Sequence, residues 1–251
     1  SVAVLLDEMN TGNPNASMFE IAIAAGGSTG SRKTDRAEQW YFLGPASVRS
    51  AMAKPSPQPK RQPTPEGSSS TGARAGDVKV ASANNVSAGD MMFVPAGSVR
   101  EVIASSGDVH AVVVVVPGGR EGAARGGAMS TPEAAYGTAV PIILSQGNKY
   151  GAVTIFAEPA TIKEPTLAAS ILELPAARQV PEHVHAKETE MLYILAGSGT
   201  MTIAGTEVAV TASSVVQIPP NTKHAFVTKD DVRALQIYTP AGPEQRFKAK
   251  P

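Results

Sequence analysis

Val210-Thr211-Ala212-Ser213-Ser214-Val215-Val216-Gln217-Ile218-Pro219-Pro220-Asn221-Thr222-Lys223-His224 lies over Val86-Ser87-Ala88-Gly89-Asp90-Met91-Met92-Phe93-Val94-Pro95-Ala96-Gly97-Ser98-Val99-Arg100 at an offset of 124 residues. A second match, Glu38-Gln39-Trp40-Tyr41-Phe42-Leu43 under Glu190-Met191-Leu192-Tyr193-Ile194-Leu195, has an offset of 152. Self-similarity of this kind marks a chain that uses one structural unit twice. The offsets differ by 152 − 124 = 28, so the first copy carries an insertion of about that length. Lys54 to Lys79 is the candidate, with five prolines between Pro55 and Pro65 followed by Gly67-Ser68-Ser69-Ser70-Thr71-Gly72. Such composition cannot bury a core and reads as a surface loop. Its bases (Lys54, Lys60, Arg61, Arg74, Lys79) outnumber its acids (Glu66, Asp77). That excess leaves a partner-binding role open, with a solvated excursion the simpler reading.

Between the turn residues lie short apolar runs: Met18–Ala24, Trp40–Leu43, Met91–Val94, Ala111–Val116, Met191–Leu195, Met201–Ile203, Val215–Ile218 and Leu235–Thr239. Runs of that length, punctuated by proline and glycine, predict strands of a sandwich or barrel, so the chain reads as all-β. Helical signal is thin, with Thr131–Tyr136 as the one short candidate, capped by Thr131 and opened by Pro132. The glycine-rich stretch from Gly118 to Gly127 is the best linker. The expected organisation is a first unit over 1–117 with an insertion near 54–79, a linker over 118–139 and a second unit over 140–251.

Composition removes several classes of function. Lys+Arg and Asp+Glu balance at 22 each over 251 residues, without the basic excess of a nucleic-acid binder. The longest apolar runs, Ala111–Val116 among them, are six residues, against the roughly 18 to 20 needed to cross a bilayer as a helix. Cysteine is absent, which excludes disulfides, zinc–thiolate sites and cysteine nucleophiles. Any metal must therefore be held by histidine and carboxylate. No leader with a basic start and apolar middle is present; a soluble protein is expected, cytoplasmic or, after removal of an upstream signal, secreted or periplasmic.

Three of the four histidines fall in the second half, as His183-Val184-His185, with Glu190 five residues on, and His224 after Pro219-Pro220-Asn221. Residues two apart on a strand share a face, so His183 and His185 can chelate one ion. Glu190 can meet them from a neighbouring strand and His224 from a third. Three imidazoles and one carboxylate suit divalent Fe, Mn, Ni, Cu, Co or Zn, and exclude an all-oxygen calcium cage. His110 opens the run into Val116 with no partner motif and reads as structural.

Written as His183-x-His185-x4-Glu190-x6-Gly197 and Pro219-x-Asn221-x2-His224, these residues resemble the two motifs of the cupin superfamily. In the second motif Asn221 stands in place of the usual glycine and Thr228 where asparagine often sits. Asparagine tolerates the left-handed backbone region, so the turn should survive the exchange. With both halves covered, the chain looks like a bicupin: two tandem jelly-roll (double-stranded β-helix) barrels. The resemblance makes His183, His185, Glu190 and His224 the metal ligands. In the first half, aligning Glu38 with Glu190 puts Ser31 and Lys33 in place of the two histidines and Arg100 in place of His224. A degenerate, metal-free first barrel is expected, in which Lys33 and Arg100 pair with Glu38 or bind an anion.

Four protein ligands leave positions on the ion for water, substrate or O₂. Strand alternation places Leu192 and Ile194 on the face of Glu190, puts Phe226 on that of His224, and offers Gln217 as a hydrogen-bonding neighbour of the site. Tyr193 falls on the opposite face, Tyr238 is available, and Lys187 and Glu188 should sit at the barrel mouth. Without another strong acid or base, the chemistry leans on the metal. The leading expectation is a dioxygenase-like oxidoreductase acting on a small organic compound. The alternatives are a non-redox isomerase or lyase, or a non-catalytic metal or small-ligand binding protein; a homo-oligomer is compatible with each.

Overall fold

The computed structural model describes residues 1–53, 78–124 and 138–248. These form an all-β structure of four antiparallel sheets, with only short helical turns. The first half supplies a six-stranded sheet in the order Val2–Leu6, Ser17–Ile23, Val109–Val116, Ala37–Phe42, Met91–Val94, Ile142–Leu144. Facing it is a four-stranded sheet of Arg32–Lys33, Val99–Ile103, Ala46–Ala53 and Val78–Val86. The second half repeats the plan. Its six-stranded sheet runs Asn148–Tyr150, Val153–Ala157, Ala168–Leu174, Val232–Thr239, Thr189–Ala196, Val215–Ile218, and its four-stranded sheet runs Gln179–His183, His224–Thr228, Ser198–Ile203, Thr206–Thr211.

Register places the internal repeat on matching positions. Glu38 lies opposite Val94 and Glu190 opposite Ile218, which reproduces both sequence offsets, 190 − 38 = 152 and 218 − 94 = 124. Each apolar run singled out from sequence falls within or overlaps a strand. The candidate helix Thr131–Tyr136 and nearly all of the insertion lie outside the described residues; the insertion joins Ala46–Ala53 to Val78–Val86, which pair with each other.

Three apolar clusters hold the sheets together. Trp40, Phe42, Val48, Met92, Val102 and Val113 fill the space between the two sheets of the first half. Leu172, Leu192, Ile194, Met201, Val216 and Phe226 do so in the second. The third cluster joins the halves, with Met18, Tyr41, Phe93, Val112 and Val114 from one side meeting Ile171, Met191, Tyr193, Leu235 and Ile237 from the other. The six-stranded sheets are thus covered on both faces. This is why Val109–Val116 is apolar at nearly every position, with no alternation of polar and apolar residues.

One strand crosses the division expected from sequence. Ile142–Leu144, assigned there to the second unit, pairs with Phe93–Met91 and forms the outer strand of the first half's sheet. A three-residue strand after a glycine-rich stretch carries no mark of which sheet it will join.

Gly197, between Thr189–Ala196 and Ser198–Ile203, has φ +86°, and a Cβ there would lie 2.0 Å from Asp231 O. Both strain and collision oppose any side chain. Gly197→Ala is expected to lower stability by at least about 2 kcal/mol, read as a shift in the denaturation midpoint at unchanged slope. A variant as stable as the parent would show that this turn does not constrain the sheet.

Candidate metal centre

The two motifs meet through backbone as well as side chains. Gln179–His183 pairs with His224–Thr228 so that His183 lies opposite His224. Pro181 lacks an N–H to donate, and the register shifts between Val180 and His183. The strand ends at His183, so His185 lies beyond it rather than on the same strand as expected from sequence. His185 is held there by its carbonyl oxygen, which accepts from Asn221 N at 2.7 Å. Asn221 has φ +61°, the left-handed conformation that its exchange for glycine had to preserve. Thr228, the other departure from the motif, donates to Pro175 O at 2.7 Å and accepts from Arg178 N at 2.9 Å, fixing the turn that leads into the histidine strand. Glu190 comes from the next sheet, opposite Tyr238 and Ile218.

One ligand atom from each of His183, His185, Glu190 and His224 can be chosen so that all lie within 4.8 Å of one another. Two donors each ~2.2 Å from one ion are at most ~4.4 Å apart, so small rotations bring the set onto a single metal. Hydrogen bonding has oriented the rings for this. Nδ1 of His183 lies 2.9 Å from Pro181 O and Nδ1 of His224 lies 2.9 Å from Thr222 O. A carbonyl only accepts, so both Nδ1 atoms carry hydrogen and, in the neutral rings, both Nε2 lone pairs are free. His185 Nε2 and His224 Nε2 each approach Glu190 Oε2 to 3.0 Å. A protonated ring donates its Nε2–H to that oxygen, and when the rings are neutral a metal ion can take the place of those protons between nitrogen and carboxylate. The donor set fits one divalent transition metal, manganese among the candidates.

Glu190 offers a single oxygen to this centre. Its Oε1 accepts from Gln236 Nε2 at 2.7 Å, and Ser170 Oγ donates to Gln236 Oε1 at 3.1 Å, which fixes the amide orientation. Burial alone would raise the Glu190 pKa; the hydrogen bonds from His185, His224 and Gln236 outweigh it and hold the value at about 2. Burial lowers the His183 pKa and keeps that ring neutral. Burial acts the same way on His224, but the adjacent Glu190 carboxylate overrides it and raises the pKa. Burial and the same carboxylate push the Tyr238 phenol well up, so it stays protonated. Its ring meets His185 edge-on at 5.2 Å.

His183, Glu190 and His224 line a cavity of about 490 Å³, while His185 stands behind them. An ion held here would face open space on one side, as substrate access requires. Phe226 and Leu192 line the cavity. Ile194 is buried in the core beyond it. Tyr193 faces the junction between halves, as alternation predicts. Gln217 does not reach the site: Glu190 is opposite Ile218, so Gln217 points to the other face, where its Nε2 lies 3.4 Å from Ala16 O and its Oε1 has no partner among the described residues. Lys187 and Glu188 are not buried, and His110 is exposed on the first half's sheet, away from the cluster. Gln236 and Ser170 went unnoticed in the sequence. The signal for Gln236 was a polar residue inside the apolar run Leu235–Tyr238.

Residues 170–238 match the family model described as a cupin domain. The matched segment contains all four donors together with Ser170, Gln236 and Tyr238. No curated protein matches the chain by sequence. Solved structures resemble it over its full length. A single-residue mutant of Bacillus subtilis oxalate decarboxylase superposes with a TM-score of 0.66 at 12% identity, covering 100% of this chain and 77% of the other. Lactobacillus farciminis oxalate decarboxylase, in its formate complex, gives 0.66 at 12% identity, covering 100% of this chain and 86% of the other. A further Bacillus subtilis structure, of an enzyme described as having Mn(II) centres, gives 0.64 at 12%, covering 98% and 76%. At this identity the likeness is one of fold.

The first half, outside the matched cupin segment, fills the equivalent place differently. Arg100 forms a two-pronged ion pair with Glu38, Nε to Oε2 and Nη2 to Oε1, both at 2.9 Å. Trp40 Nε1 donates to Glu38 Oε2 at 2.7 Å, and the guanidinium lies 4.9 Å from the Trp40 ring centre. Arg100 pairs with Glu38 as expected, but Lys33 does not join it. Arg32, not Ser31, takes the register of His183, because it lies opposite Arg100 as His183 lies opposite His224. The loop to the acid is one residue shorter in the first half, so Lys33 falls outside the position aligned to His185 and is exposed.

Two measurements check these assignments. Protein purified without added metal should carry about one divalent ion per chain, and His183→Ala or His185→Ala should abolish it by elemental analysis; stoichiometric metal in both variants would remove the site. Arg100→Ala, which strands a buried carboxylate, should cost about 3–5 kcal/mol of unfolding free energy, and Glu38→Leu with Arg100→Met should restore most of it. Equal losses in the single and double variants would show that the ion pair is not what holds this region.

Proposed function

We propose that the protein is a metal-dependent bicupin enzyme, with two tandem jelly-roll units over 1–117 and 140–251, and that it carries out non-redox lyase or isomerase chemistry on a small organic molecule. Ile142–Leu144, on the second unit's side of that division, serves the first unit's sheet. In this reading His183, His185, Glu190 and His224 hold one divalent metal and the first unit is structural. The observation that carries the proposal is that four donors converge at the wall of a cavity of about 490 Å³. A purely structural metal would be enclosed by its ligands.

A bound divalent ion polarises a substrate oxygen and stabilises negative charge developing on it. The chain's own groups complement that. Glu190 stays ionised throughout the physiological range, and Gln236 keeps its second oxygen away from the open side. Tyr238, neutral and lining the same cavity, can donate a hydrogen bond to a bound substrate.

The dioxygenase expectation draws no support from the comparisons, whereas the lyase alternative does, since the solved structures named above are decarboxylases. The cavity offers more than oxalate would use: Val153, Leu172, Leu174, Val180, Met201 and Phe226 present hydrocarbon surface to it beside Arg178 and Arg246, and a two-carbon dianion would leave that hydrocarbon uncovered. A panel of small organic acids and sugars incubated with the manganese-loaded protein should show loss of a substrate with oxygen rigorously excluded, abolished by His185→Ala. Turnover that requires O₂ would return the assignment to a dioxygenase. Absence of turnover with a fully loaded site would favour a binding protein.

A further inference from the structure

The last turn of the described chain is fastened to the body through Gln245 and Lys248, buries Glu244, and gives two other residues to the cavity. In the 3-10 helix Pro243–Lys248, Glu244 is fully buried and accepts from Gly242 N at 2.6 Å and Gln245 Nε2 at 2.8 Å. Gln245 also donates to Glu158 Oε2 at 2.8 Å, and Lys248 pairs with the same carboxylate. Burial works to raise the Glu158 pKa, but Lys248 and Gln245 together hold it below the usual carboxylate range, so the clasp is ionised at neutral pH. Arg246 and Phe247, which lie between these anchors, line the same cavity as the metal donors.

The charge balance of that cavity is unfinished. Its cationic lining residues are Arg178 and Arg246. Of its two carboxylates, Glu182 is paired with Lys223 at 3.2 Å, and Glu190 is bound by His185, His224 and Gln236. Arg246 directs Nε to Pro243 O at 3.3 Å and forms no ion pair with a carboxylate among the described residues. Its side chain also reaches Tyr238, which lies opposite Glu190 in the sheet, and this places it on the metal side of the cavity, apart from Arg178 in the turn before the histidine strand.

We propose that Arg246 anchors the substrate of the metal site by a carboxylate, and that the substrate's body is apolar, packing against Phe247, Phe226 and Met201. The proposal rests on the metal-centre reading above and adds a substrate class to it: an organic monoacid whose acid group is a handle. A guanidinium fork matches a carboxylate with two parallel hydrogen bonds, a geometry that a lysine or an amide does not reproduce. Much of the remaining cavity wall, including Leu172, Met201 and Phe226, is hydrocarbon and gains by covering an apolar chain or ring. The clasp on Glu158 keeps the fork from having to be ordered at the moment of binding, which favours affinity.

Calorimetric titration of the manganese-loaded, full-length protein tests this with 3-phenylpropionate and its neutral analogue 3-phenylpropanamide as probes. The acid should bind roughly tenfold tighter than the amide, and Arg246→Gln should bring the acid down to the amide's affinity. Arg178→Gln should change the acid's affinity less than about twofold. Arg246 is exposed, so its replacement leaves the folded core intact, and manganese content measured on the same samples separates the two levels of the reading. Failure to hold manganese would sink the metal centre. One manganese per chain with the acid's affinity unchanged in Arg246→Gln, with acid and amide bound equally or not at all, or with the loss falling on Arg178→Gln, would overturn the anchor alone.

Discussion

A carboxylate buried between two sheets has to be met by positive charge, and the chain faces that requirement at the same place in both halves. Glu38 and Glu190 occupy matching register positions, each nearly sealed from solvent. Leaving either unpaired would cost several kcal/mol. The first half answers with a covalently attached cation, the Arg100 guanidinium, supported by the Trp40 indole. The second half supplies imidazole nitrogens in its place, and their lone pairs make the site one for a cation from outside. One fold, with one acid retained, therefore yields a self-neutralised unit and a unit that recruits its charge.

The supports around Glu190 explain how the recruited charge is kept usable. Backbone carbonyls of Pro181 and Thr222 orient two imidazoles, Asn221 holds the backbone at the third, and Gln236 occupies the carboxylate oxygen turned away from the cluster. Each of these partners lies on a strand or in a strand-ending turn. Such rigid placement lets a metal site hold its geometry while one side stays open.

Much of this was legible in the residues, and the exceptions have physical reasons. The doubled plan was readable because the six-stranded sheets are buried on both faces, which forces dense apolar runs such as Met91–Val94 and Val215–Ile218. The four-stranded sheets were harder: Gln179–His183 and Thr206–Thr211 are partly exposed and polar, so no apolar run announces them. The ligand set was readable because His183, His185 and Glu190 fall within eight residues and His224 follows directly on its own Pro-Pro-Asn turn. Gln217 was misplaced because its face is set by the partner strand, where Glu190 lies opposite Ile218. Lys33 was misplaced by a loop one residue shorter than its counterpart. Gln236 and Arg246 reach the site from elements 46 and 56 residues beyond Glu190, a separation at which no motif spacing operates.

The short strand Ile142–Leu144 binds the fate of the two halves together. It stands beyond the glycine-rich stretch, yet it closes the outer edge of the first half's sheet against Met91–Phe93. Severing the chain at that stretch would bare a ladder of amide and carbonyl groups along one half while leaving the other with an orphaned apolar tail. Dividing the chain at the most glycine-rich point of the sequence would therefore cost the first half the strand that closes its sheet.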